Sequence, residues 1–279
     1  MMLKPTHFAY ANMVTPKLVA KIEAEEPALR LAVLIDADNA QAAVIEGILA
    51  EVARFGDATV KRIYGDFTSP YSASWKKVLQ KYAIKPVQQF AYTTGKNATD
   101  STLIIDAMDL LYTRRFDGFC LVTSDSDFTG LATRIREEGL VVLGFGEQKT
   151  PDAFRNACNK FVLTELLRPA QTESLSAAVK PEPTVAPALP PAAAVTQAAA
   201  PGFPQDFMLS ALDQSSGENG WAHLGTFGSY LTKLKPDFDP RVYGFRKLSD
   251  LVRSRQDIFV TEERAVPGQA QKQLYLKPR

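Results

Sequence analysis

Hydrophobic and polar positions change their spacing several times along this 279-residue chain. Between Leu29 and about Leu167, short unbroken apolar runs alternate with segments in which apolar residues recur every three or four positions. The runs predict strands at Leu31–Ile35, Thr59–Tyr64, Pro86–Tyr92, Phe119–Thr123, Leu140–Phe145 and Lys160–Leu163. Ala42, Ile45, Ile48, Leu49, Val52 and Phe55 follow helical spacing, as do Leu103, Ala107, Leu110 and Leu111. Gly56-Asp57 and Gly139 read as helix stops. Strands alternating with helices predict an α/β domain on a central, mostly parallel sheet covered on both faces.

The pattern then breaks. Residues 169–204 are rich in proline and alanine and nearly devoid of aromatic or large aliphatic residues, a composition that cannot offset its own chain entropy. They are expected to be a disordered, semi-extended tether. Order resumes over residues 205–279, where Phe207, Leu212, Leu224, Leu231, Leu234, Tyr243, Phe245, Leu248, Leu251 and Val252 space out like the core of a small helical domain. Asp257-Ile-Phe-Val-Thr and Gln273-Leu-Tyr-Leu, either side of Pro267-Gly268, predict a terminal hairpin or wing. Residues 1–28 form an N-terminal extension.

Composition narrows the function classes. With 46% hydrophobic and 23% charged residues the chain is ordinary for a globular protein, and no apolar stretch approaches the roughly 18 residues of a membrane helix. The start lacks the apolar core of a signal peptide, so a cytoplasmic location is expected. Cys120 and Cys158 are too few for a disulfide framework and read as buried thiols. Only His7 and His223 exist, neither near the acidic residues described next, which leaves a histidine acid/base pair poorly supported. A net charge of +1 says little, because a nucleic-acid surface can be local.

Aspartates stand just past the predicted strands. Asp36 and Asp38 follow Leu31–Ile35, Asp125 and Asp127 follow Phe119-Cys-Leu-Val-Thr-Ser, and Asp100 opens a helix after the polar stretch Thr93–Thr99. Open α/β sheets gather their ligands at the C-terminal ends of strands, so these acids are expected to meet there. Clustered carboxylates repel unless a cation neutralises them, and Mg²⁺ or Mn²⁺ prefers such oxygen donors. Asp36, Asp100 and Asp125 are the main expected ligands, with Asp127 in support. Asn39 fits a helix cap or an active-site polar group, while Asp38 and Asp66 read as a first-turn acid and a turn aspartate. Asp106 and Asp109 are expected to be exposed. Thr123, Ser124 and Lys96 are candidate phosphate contacts, with Tyr71, Trp75, Lys76 and Lys77 as a weaker patch beside them. Arg241, Arg246, Lys247, Arg253 and Arg255 form a basic group in the last segment that suits a phosphate backbone.

On Ile35-Asp36-x-x-Asn39, Gly95-Lys96-x-x-x-Asp100 and Thr123-Ser124-Asp125-Ser126-Asp127-Phe128, residues 29–168 resemble the NYN family of the PIN-like nuclease superfamily, in particular its LabA-like branch. The resemblance implies a PIN-like three-layer α/β sandwich and metal-dependent hydrolysis of RNA phosphodiesters, endonucleolytic rather than exonucleolytic. Asp36, Asp100 and Asp125 match that family's metal-holding acids. Residues 205–279 resemble the OST-HTH, or LOTUS, domain on Trp221-Ala-His-Leu-Gly-x-x-Gly228-x-x-Leu231, Pro236-Asp-Phe238-Asp-Pro and Tyr243-Gly-Phe-Arg-Lys247-Leu-Ser-Asp-Leu-Val252. That implies a winged-helix-like module for RNA, or in some members for a protein partner. No membrane partner is expected, and self-association stays open.

Two other readings compete. A non-catalytic RNA-binding scaffold would keep the fold without cleavage. A phosphatase of the haloacid-dehalogenase type would use Asp36-Ala-Asp38 as nucleophile and acid/base pair, although Ala40 departs from that family's motif.

Overall fold

The computed structural model describes residues 28–68, 73–90, 98–168, 202–217, 219–265 and 272–279. The N-terminal extension up to residue 27 and the expected tether over residues 169–201 lie outside them. Six strands, β1 (Leu29–Asp36), β2 (Gly56–Gly65), β3 (Lys85–Gln88), β4 (Gly118–Val122), β5 (Val141–Gly146) and β6 (Lys160–Leu163), form one sheet in the lateral order β3-β2-β1-β4-β5-β6. Every pairing is parallel. The connections carry α1 (Ile45–Val52), α2 (Ala73–Tyr82), α3 (Ala98–Tyr112), α4 (Thr129–Glu137) and α5 (Asp152–Ala157).

A strand covered on both faces needs apolar residues at both parities, which is why β1 reads as an unbroken run rather than an alternation. Leu31, Val33 and Ile35 pack with Ile45 and Ile48 of α1 and Trp75 of α2. Ala32 and Leu34 pack on the opposite face, with Leu103 and Ala107 of α3 and Leu131 and Ile135 of α4. All five β1 residues are fully buried. A buried side chain of this size contributes about 1.5–3 kcal/mol, so the strand that ends in Asp36 is firmly placed.

Trp75 is 4% exposed and belongs to this core, so it is not a stacking surface for nucleic acid. Gly139 ends the helical segment as expected, in the left-handed region at φ +80°. Gly56 does not stop a helix. α1 ends at Val52, and Gly56 instead opens β2 where the chain passes so close to β1 that a Cβ would lie 2.1 Å from the Leu29 carbonyl oxygen. Cys120 and Cys158 are free and buried, and burial pushes the Cys158 thiol up to about 12.

The second domain contains α6 (Gln205–Ser215), α7 (Leu224–Leu234) and α8 (Leu248–Ser254) around an antiparallel sheet of β7 (Ala222–His223), β8 (Phe259–Arg264) and β9 (Gln273–Pro278), ordered β7-β9-β8. Met208, Leu212, Phe227, Leu231, Leu251, Phe259 and Leu276 form its core. The β8–β9 pair is the expected wing.

Direct contacts join the domains. The Phe161 N–H of β6 donates to the Pro236 carbonyl at 2.9 Å, and Arg155 of α5 meets Asp237 at 3.1 Å. Arg241 bridges Asp239 at 2.7 Å and the nearly buried Glu51 of α1 at 3.1 Å. Lys160 lies close by, and desolvation holds its ammonium below the usual lysine value. Arg241 is therefore committed to this junction rather than to an open basic face. Among the described residues no helix is long and apolar enough to cross a membrane.

The Gly56 contact gives a paired stability test. Gly56→Ala should destabilise the protein by about 1–3 kcal/mol through overpacking. Gly130→Ala, in α4 with nothing near its Cβ position, should instead stabilise it by about 0.5–1 kcal/mol. Urea midpoints at constant m-value check both.

Candidate metal centre

The lateral order reverses between β1 and β4, because the chain builds β1 to β3 in one direction and returns to place β4 on the other side of β1. Connections on the two sides then diverge and leave a crevice beyond the strand ends, where open sheets bind ligands. Asp36 is the last residue of β1, and Thr123, Ser124 and Asp125 follow the last residue of β4. Both acids are thus delivered to the same crevice.

Asp36 is fully buried. Its Oδ2 accepts from the Asn39 side-chain amide at 2.7 Å and the Thr123 hydroxyl at 2.9 Å, and its Oδ1 accepts from the Asp38 N–H at 3.0 Å. Burial raises its pKa and these three donors oppose the rise. Thr123 links the two loops, because its Oγ1 also accepts from the Asp125 N–H at 3.1 Å. Asp125 in turn caps the short 3₁₀ turn Ser126–Phe128 by accepting from the Asp127 N–H at 2.9 Å. Ser124 is buried, and its hydroxyl accepts from the Glu147 N–H at 2.9 Å.

Asp100 enters from the first turn of α3. Carboxylate oxygens of Asp100, Asp125 and Asp127 lie within 4.8 Å of one another, with Asp125 and Asp100 half-buried and Asp127 exposed. Burial, followed by the charges of Asp36, Asp125, Asp127 and Asp38, pushes Asp100 up to about 6. Asp36 thus lies near enough to act on Asp100 electrostatically, while the tightest trio is formed by the other three. An all-oxygen, all-anionic donor set at this spacing fits a hard divalent cation such as Mg²⁺ or Mn²⁺.

The sequence-predicted residues separate into groups. Asp36, Asp100, Asp125 and Asp127 converge, and Asn39 sits against Asp36. Thr123 and Ser124 are at the centre but spend their hydroxyls on protein partners, which makes them positioning groups. Asp66 accepts from the Thr68 N–H within a turn and from the side-chain amide of Gln88 on β3. Arg246 and Lys247 are exposed in the second domain. Lys96 and Tyr71 lie outside the described residues.

Asp106 is not an exposed helix acid. It sits on the inner side of α3, ion-paired with Arg62 and accepting from the Tyr64 hydroxyl, both on β2. Burial and the Asp106 carboxylate drive the Tyr64 phenol well above the usual tyrosine value, so it remains a donor. This contact pins the helix that carries Asp100. The available sequence signal was parity, since Arg62 and Tyr64 alternate on β2 and Tyr64 pairs in register with Asp36. Gly146 was also missed: a Cβ there would lie 2.6 Å from the Thr123 carbonyl oxygen.

Comparison with known proteins agrees with both halves of the chain. The NYN domain model matches residues 30–165 and the OST-HTH/LOTUS domain model matches residues 205–270. A solution structure of an uncharacterized protein of Nitrosomonas europaea is 52% identical over 34% of this chain and 92% of that one, with a TM-score of 0.28. Another, comprising residues 175–257 of a Chromobacterium violaceum protein, is 31% identical over 29% of this chain and 85% of that one, with a TM-score of 0.23. A crystal structure of a Vibrio parahaemolyticus protein of unknown function is 17% identical over 50% of this chain and 94% of that one, with a TM-score of 0.43. No curated protein matches the chain.

The raised Asp100 value fixes the sign of a pH effect. In the ion-free folded protein Asp100 holds a proton to about pH 6, whereas unfolded it loses that proton near the ordinary value of 3.8. Its contribution to stability therefore declines as pH rises from about 4 to above 6. In chelator, Asp100→Asn should raise the thermal midpoint at pH 7.5 and flatten this slope relative to wild type. The same variant should weaken Mn²⁺ binding measured by calorimetry.

Proposed function

The chain carries an NYN domain followed by an OST-HTH/LOTUS domain, and from that premise we propose that it is a divalent-metal-dependent ribonuclease. The observation that carries this reading is the convergence of Asp100, Asp125 and Asp127 at the switch point, with Asp36 behind them. Asp100, Asp125 and Asp127 would hold Mg²⁺ or Mn²⁺, and Asp36 would complete the site from the β1 side. When bound, the ion lowers the pKa of a coordinated water and offsets charge developing on the phosphate.

The protein's own groups supply position. Asn39, Thr123 and the Asp38 N–H fix the orientation of Asp36 and favour its charged form despite burial. The Thr123 hydroxyl ties Asp36 to the Asp125 loop, so both sides of the crevice keep one spacing. Asp106 holds α3, and with it Asp100, against β2. Asp127 is exposed, which suits an internal phosphodiester lying across the acids and supports endonucleolytic cleavage. Arg246 and Lys247, exposed on the second domain, would attract an RNA backbone. The buried Asp36 carboxylate, held by three donors, is poorly disposed to attack a phosphomonoester, which disfavours the phosphatase reading.

Incubation with single-stranded and hairpin RNA should give cleavage in Mn²⁺ or Mg²⁺ and none in chelator. Asp125→Asn should lower the rate by about 10²-fold or more. Cleavage that persists unchanged in chelator and in Asp125→Asn would sink the metal mechanism, and absence of cleavage with intact RNA binding would favour the scaffold.

A further inference from the structure

The small sheet of the second domain turns one face to the core and carries distinctive chemistry on the other. Leu274 and Leu276 of β9 point inward and are buried. The alternate residues Tyr275 and Lys277 lie on the outer face, where His223 of β7 pairs with Tyr275. One step beyond the Ala222–Leu276 pair, Trp221 lies alongside Lys277. The His223 and Tyr275 rings are 5.4 Å apart at 61°. The Arg264 guanidinium is 4.7 Å from the ring centres of both Trp221 and Tyr275, and the Lys277 ammonium is 5.0 Å from that of Trp221.

These aromatics are not needed by the core, which closes from Met208 to Leu276 without Trp221, His223 or Tyr275. Each is only half-buried. Glu262 chelates Arg264 at 3.1 Å, and Glu263 is engaged by Arg253 at 2.6 Å. Lys277 adds a second cation beside Arg264 on this face, against the single carboxylate of Glu262, so the face is net cationic. The hydrogen bonds that join the domains run through Pro236, Asp237 and Arg241, away from this face.

Aromatic rings interleaved with cations on a sheet suit unpaired bases, which stack on the rings while the cations meet the phosphates. A duplex keeps its bases stacked on one another and cannot use such a surface. We propose that the outer face of β7 and β9, centred on Trp221 and Tyr275, is a stacking platform for single-stranded RNA. RNA as the occupant rests on the ribonuclease reading, whereas the platform rests on the sheet geometry. Bases lie on Trp221 and Tyr275, with His223 extending the stack and Lys277 contacting a flanking phosphate. The nuclease domain would then receive single strands or loops rather than paired stems.

The test is binding of the full chain, in chelator, to fluorescein-labelled oligouridylate and oligoadenylate of about twelve nucleotides and to a duplex of equal length. Trp221→Ala and Tyr275→Ala should each weaken single-strand binding about tenfold, and Trp221→Phe should restore most of it. Lys277→Gln should reduce the salt dependence by about one phosphate contact. Trp75 is buried, so single-strand RNA should quench the tryptophan emission that comes from Trp221. Should Trp221→Ala unfold, the phenylalanine and glutamine variants and the quenching decide. Equal affinity across all variants without quenching, or equal affinity for the duplex, overturns the platform, including the case in which a protein occupies this face. Metal-dependent cleavage with unaltered binding overturns the platform alone. Loss of binding in the variants without any cleavage by wild type overturns the ribonuclease reading alone.

Discussion

Like charges brought together at one edge of a parallel sheet are the constraint on which this structure turns. Asp36, Asp100, Asp125 and Asp127 come from three separate stretches of chain, and the charges of the other three add to burial in disfavouring the ionised form of Asp100. The surrounding architecture holds them against that repulsion. Deeply buried strands fix Asp36, a shared threonine hydroxyl couples it to Asp125, and an aspartate–arginine–tyrosine contact anchors the helix bearing Asp100. Asp100 is thereby biased toward its protonated form, and a bound cation would remove that bias, which couples ion binding to the placement of the helix that carries it.

Much of this was legible in the sequence, because strand cores are dense in Val, Ile, Leu and Phe and because an aspartate directly after such a run has few places to go. The lateral order of strands was not legible. Nothing in local spacing says that β4 returns to the far side of β1, yet that return creates the crevice. Asp106 was misread as exposed because helical spacing alone does not reveal a partner on another strand. Gly56 was misread as a helix stop for a similar reason, since its actual role is close passage against Leu29. Arg241 looked like part of an open basic group, and only the folded chain places it between Asp239 and Glu51.

The two domains are linked in space as well as along the chain. Glu51 lies in the last turn of α1 and Lys160 opens β6, and Asp239 and Arg241 of the second domain come close to both. The second domain meets the sheet along its β6 edge, through Phe161, and reaches α5 through Arg155. Ion pairs to buried carboxylates such as Glu51 and Asp239 are weak sources of stability but strong sources of orientation, since either carboxylate left without Arg241 would be a desolvated charge.

The central position of β1 also has a consequence during synthesis. β1 leaves the ribosome well before β4, yet one of its edges is covered only when residues 118–122 arrive as β4. Until then the half-sheet of β1, β2 and β3 presents an apolar strand with unpaired N–H and C=O groups, the kind of edge on which nascent chains associate with one another. The strand order that creates the crevice therefore imposes an interval of vulnerability on every newly made copy, and it ends only when the second side of the crevice has been translated.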